Sequence, residues 1–225
     1  MCFSATASFV AAAISGTAGA VCLARVRYRG DLLLAATPLV FAVQQTIEGS
    51  LWLNLEHEGF SERSAELTTG FLMLALVFWP IYVPLATLLA EPDRRRRLWL
   101  WASLAAGLCV AVYFFISLGA LPRTASIDGG HIVYSSDPAL PLLIRFFYPA
   151  ATSLSLMLSS HRVIAVSGVV IFIGSVVSYW MYWNAFTSVW CFFAAIASLL
   201  VIVHFEKVRR ARAADDRRAR MALPR

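Results

Sequence analysis

Two charged side chains stand where charge is costly. Glu48 lies inside the apolar run 32–54 and Arg145 inside the apolar run 140–159. An ionisable group at membrane depth faces the interior of a helix bundle, where it binds an ion or solute, relays a proton or meets a counter-charge. Gln44, Gln45, Glu48 and Trp52 recur at intervals of three and four, which puts them on one helix face. Arg145, Tyr148, Thr152, Ser155 and Ser159 follow the same spacing further along the chain. Brought together, a carboxylate, two amides, a guanidinium and a phenol would hold a small polar solute or ion. The competing reading is a structural Glu48–Arg145 ion pair that does no chemistry.

A different chemistry is open to the cysteines. With Met1 removed, Cys2 becomes a thiol beside a free amine, a group that binds metals and acts as a nucleophile. Cys191 is expected at matching depth, and His131 in an outer loop. Together they would make a metal-thiol or enzyme site. The plainer reading is that Cys2, Cys22, Cys109 and Cys191 are small packing residues. They show no paired spacing and no disulfide framework.

Several classes are excluded by what is missing. There is no HExxH helix, no GxSxG elbow and no P-loop. His57, His131, His161 and His204 show no ligand spacing, so no metal site is assigned, and the sequence leaves any cofactor unknown. The only lysine, Lys207, stands beyond the last apolar run, which leaves no Schiff-base residue for a retinal protein. The Pro-Gln pair of sugar transporters built as three-plus-one-plus-three helices is absent. The balance is against an enzyme, and a third reading is a structural or signalling membrane partner whose basic tail contacts anionic lipid or a cytoplasmic protein.

The elements that must position these residues are helices in lipid. Hydrophobic residues make up 60% of the 225-residue chain and charged residues 14%, against roughly 25% in a soluble domain. The charges cluster between apolar runs at 3–24, 32–54, 67–90, 98–121, 140–159, 163–183 and 185–206. Each run approaches the ~20 residues that cross a bilayer. We therefore expect an all-α integral membrane protein, a seven-helix transmembrane domain over 1–206 with a basic tail over 207–225. The last two runs are nearly continuous and are divided at Asn184, where Tyr and Trp gather as they do at a membrane interface.

Basic residues set the orientation. Arg25, Arg27, Arg29, Arg94 to Arg97, Arg162 and the tail from Lys207 fall on one side, and only Arg63 and Arg123 on the other. By the positive-inside rule the N-terminus is outside and the C-terminus cytoplasmic, in a plasma membrane. The net charge of +6 then reflects contact of the tail with anionic lipid headgroups rather than nucleic acid. The basic residues after the first run, and not before it, argue against a cleaved signal peptide. Outside, residues 55–66 carry four glutamates. Asp128-Gly129 between short β-forming runs predicts a hairpin at about 124–135.

Small and polar stripes mark other helix faces: Ser4, Ser8, Ala11, Ser15 and Cys22 on the first, and Asn184, Ser188, Cys191, Ala195 and Ser198 on the seventh. Such residues let helices approach closely. Pro38, Pro80, Pro84 and Pro149 stand within spans, and each leaves a backbone carbonyl without its helical donor. The tail is expected to stay helical for a turn or two and then fray.

Met1-Cys2-Phe3-Ser4-Ala5, Gln44-Gln45-Thr46-Ile47-Glu48-Gly49 and Ser188-Val189-Trp190-Cys191-Phe192-Phe193-Ala194-Ala195 resemble the motifs of a bacterial family of multi-pass membrane proteins, a domain of unknown function. Trp79-Pro80 and Leu158-Ser159-Ser160 fit the same pattern. The resemblance spans nearly the whole chain. It implies a membrane fold and singles out Cys2, Glu48 and Cys191, but no activity. The eighteen arginines to one lysine suit a high-GC genome.

Overall fold

The computed structural model describes residues 4–120, 123–135, 142–181, 190, 195 and 197–222. Seven helices follow one another among them: α1 (Ala5–Ala24), α2 (Leu32–Glu58), α3 (Glu62–Ala90), α4 (Arg94–Ala120), α5 (142–157), α6 (Arg162–Met181) and α7 (Leu200–Ala222). Among the described residues, α1 to α4 are long and apolar enough to cross a membrane, and α6 contributes a shorter apolar stretch, Arg162–Ser178. The first four expected runs each fall on one of these helices. The turn expected at Asn184 lies outside the described residues.

Local sequence explains the helix ends. The Ser4 hydroxyl accepts the Ala7 N–H at 3.2 Å and caps α1. Gly59, at φ 70°, ends α2 in a conformation that suits glycine. Ser61 caps α3 by accepting the Ser64 N–H, and Asp93 accepts the Arg95 N–H at 2.7 Å at the start of α4.

α1 and α2 form an antiparallel pair along a seam of small residues. Ala5, Ser8, Ala12, Ser15, Ala18, Gly19 and Cys22 are the buried face of α1. Ser4 and Ala11 drop out of the expected stripe, since Ser4 serves as the cap and Ala12 takes the buried place of Ala11. A Cβ on Gly19 would lie 2.7 Å from the Leu39 backbone nitrogen, so only glycine allows this approach.

The expected hairpin is present. β1 (Ala125–Asp128) and β2 (His131–Tyr134) are antiparallel, with Ala125 opposite Tyr134 and Asp128 opposite His131. Gly129 and Gly130 both take positive φ, 56° and 78°, as a tight two-residue turn requires. Ile132 is fully buried, and Tyr134 stacks on Phe71 of α3 at 5.0 Å between ring centres, which fastens the hairpin over the bundle.

α7 runs further than expected, to Ala222. Alanine and arginine are strong helix formers, and Glu206 pairs with Arg209 and Arg210 one turn on.

Candidate functional site

The expected face of α2 is a deeply buried polar surface. Gln44, Gln45 and Glu48 have no exposure at all, and Trp52 is 3% exposed. Gln45 Nε2 donates to Glu48 Oε2 at 3.2 Å. The Gln44 amide oxygen accepts the Trp79 indole N–H of α3 at 2.5 Å. Among the described residues that leaves Gln44 Nε2 and Gln45 Oε1 buried with no hydrogen-bond partner, and Ser8 Oγ and Trp52 Nε1 are in the same condition. Phe9 of α1 packs on Gly49, so Ser8 lies at the depth of this cluster. A donor and an acceptor left open beside a carboxylate can take a small polar ligand. Left empty, each open group costs the fold about 1–3 kcal/mol.

Prolines build the wall opposite. α3 carries a π-helical turn, Met73–Phe78, in which the Trp79 N–H reaches back to the Leu74 carbonyl. The carbonyl of Ala75 would next receive Pro80, which has no N–H. Tyr148 of α5 fills the vacancy, and its hydroxyl donates to Ala75. Pro84 likewise removes the helical donor to the Pro80 carbonyl, and Gly107 of α4 packs against that oxygen so closely that any Cβ would collide with it. The kinks predicted from Pro80 and Pro84 thus become contacts between helices.

Tyr148, Thr152 and Ser155 on α5, and Ser159 just beyond it, are all buried, as their spacing predicts. Thr152 and Ser155 donate to carbonyls of their own helix, Tyr148 and Ala151, so they serve as packing groups. α5 has its own π turn, Ala150–Leu154, directly after Pro149. Of the expected site residues, Arg145 has its backbone in α5 but its side chain lies outside what is described. Cys2 and Cys191 lie wholly outside it. The expected approaches of Arg145 to Glu48 and of Cys2 to Cys191 therefore rest on sequence alone.

A cavity of about 40 Å³ opens between Phe41, Trp79, Thr152, Trp190 and Ser198. Its walls are mostly apolar, and Gln44, Gln45 and Glu48 are not among its lining residues. Trp79 is shared: its ring forms cavity wall while its N–H holds Gln44. It stacks on Phe41 at 4.0 Å and meets Tyr82 edge-on at 5.5 Å, so its plane is fixed.

One buried acid was not singled out from sequence. Glu91 ends α3, is 2% exposed, and accepts the Ser160 N–H at 2.7 Å, the Ser160 hydroxyl and the Asp93 N–H at 3.1 Å. Arg96 donates to the carbonyls of Leu158 and Ser159 at 2.9 and 3.2 Å. His161 Nε2 lies 3.2 Å from the Ala90 carbonyl, and its ring meets that of His204 at 4.7 Å. The signal was a glutamate directly before a proline at a helix end, which reads as loop until its partner 69 residues on is known.

Gln44 of the glutamine pair, Trp79-Pro80 and Ser159-Ser160 thus all take part in contacts between separate elements. The chain belongs to DUF6629. This is a family of unknown function, and its model matches residues 1–219. Neither the curated proteins nor the solved structures give a match. Membership agrees with the resemblance carried by these motifs and brings no activity with it.

Proposed function

We propose that this member of the family is a seven-span plasma-membrane protein, with its N-terminus outside, that binds or passes a small polar solute or ion at the Glu48 cluster. The observation that carries the reading is the pair of amide groups left open among the described residues, Gln44 Nε2 and Gln45 Oε1, fully buried one turn before a buried carboxylate on the same helix. A cluster kept only for packing would close those groups on each other or on neighbours. Here one end of each amide is fixed, Gln44 by Trp79 and Gln45 by Glu48, so that its other end is presented. Glu48 stands nearly three turns before the end of α2 that this orientation puts outside, so a ligand would enter from that side.

The test uses full-length protein in detergent. Its thermal unfolding is followed against a panel of monovalent cations, amino acids and sugars. The reading expects at least one compound to raise the melting temperature of the wild type and not that of Glu48→Gln. Identical responses of the two proteins to every compound would overturn it. The orientation is tested by a phosphatase fused to the C-terminus, which is expected to be inactive. Activity there would reverse the assignment.

A further inference from the structure

We propose that the start of α7 and the end of α1 form a binding site for the phosphate of an anionic phospholipid. A cleft of about 530 Å³ lies between Arg25, Ile202, Val203, Glu206, Lys207, Arg209 and Arg210. That is the scale of a small-ligand site. At its centre Glu206 holds three guanidiniums: Arg209 and Arg210 at 2.7 Å and Arg25, from the other helix, at 3.2 Å. One carboxylate cannot neutralise them. With Lys207 the cleft holds four cations against one anion, and each guanidinium keeps N–H groups that Glu206 does not use. Arg209 and Arg210 are mostly exposed, so these donors are accessible.

The floor of the cleft decides between ligands. Ile202 and Val203 are apolar, and Val203 is 40% exposed. They belong to the stretch from Leu200 to Phe205, immediately before the chain turns basic at Lys207. A cationic rim over an apolar strip at this boundary matches a lipid, with its headgroup phosphate on the arginines and the top of an acyl chain on Ile202 and Val203. A soluble phosphate would use only the rim. Glu206 has a specific part in this: it draws together side chains that would otherwise repel one another, from two helices, so the donors are placed before the lipid arrives.

The inference rests on the membrane reading of the chain, but not on the Glu48 site or on which way the protein faces. Its test is made on full-length protein in nanodiscs and does not depend on solute binding. Phosphatidylglycerol carried through purification is measured by native mass spectrometry, against phosphatidylcholine alone. The site expects retention of the anionic lipid. Lys207→Gln and Arg210→Gln, both at exposed positions that leave the fold intact, should each weaken retention roughly fivefold. Glu206→Gln raises the net positive charge yet should also weaken retention, because the arginines disperse. Stronger retention in Glu206→Gln would overturn the organised site. So would an equal loss in Arg220→Gln, far along the tail, since that marks diffuse attraction. Displacement of the lipid by inorganic phosphate at millimolar concentration would overturn the lipid as occupant.

Discussion

Glu48 and Glu91 are both buried acids in a chain made mainly of apolar helices, and they are built into it in different ways. Glu91 stands at a helix end and accepts hydrogen bonds from two backbone N–H groups and a hydroxyl, which fix both its oxygens. It joins the end of α3 to the loop before α6, as a cap joins a chain to a helix. Glu48 stands mid-helix among amides, two of whose polar atoms have no partner among the described residues. A carboxylate fully engaged by the backbone has nothing left to offer a ligand. One flanked by open groups does. The difference separates a staple from a binding site, although burial alone makes the two look alike.

The sharpest way to break the comparison is to remove each charge. If Glu48 pairs with Arg145, as expected from sequence, Glu48→Gln leaves a buried guanidinium without its counter-charge and costs about 3–5 kcal/mol. Glu48→Gln with Arg145→Gln should then be more stable than either single variant, as measured by denaturant unfolding. A double variant no better than the worse single would make Glu48 a lone protonatable site and favour proton-coupled transport. Glu91→Ala should cost about 1–3 kcal/mol for each donor it leaves buried without a partner. Unlike Glu48→Gln, it should leave intact whatever ligand response the wild type shows. A selective loss of that response in Glu91→Ala would erase the distinction between the two acids.

Tyr148 tests the wall between them. Tyr148→Phe keeps the ring contacts with Phe114 and Trp190 and removes only the donor to the Ala75 carbonyl. The expected loss is about 1–3 kcal/mol in unfolding free energy, because that carbonyl has no helical donor to return to. An unchanged stability would mean that the π turn of α3 closes on itself without α5.

How much of this was legible follows the range of each interaction. The α2 face was readable because its residues lie within two turns and three-and-four spacing fixes a common side. The hairpin was readable because Asp-Gly-Gly allows few other turns. Pro80 and Pro84 announced open carbonyls, but nothing local shows that Tyr148 answers one and Gly107 the other, since those partners come from distant helices. Glu91 and Ser160 escaped for the same reason. The length of α7 escaped for another: a polar, charged tail reads as loose chain unless its helix propensity and its Glu206 pairs are weighed against its composition.

The smallest effect concerns the hairpin and supplies a control for titration of Glu48. Burial holds the His131 imidazole below its ordinary value of 6.5, because the charged form is disfavoured in the fold. The opened hairpin therefore binds more protons than the closed one at and just below that pH. Hairpin stability is full above 6.5, falls as pH drops through 6.5, and levels once the lowered folded-state value is passed. Amide protection factors at Ile132 and Val133, taken relative to the intrinsic exchange rate at each pH, should accordingly fall on acidification across this window, and His131→Gln should abolish the step. An acid-dependent change that persists in His131→Gln and disappears in Glu48→Gln would instead assign the proton to Glu48. That result would strengthen the contrast with Glu91, whose carboxylate oxygens are taken up by backbone N–H groups.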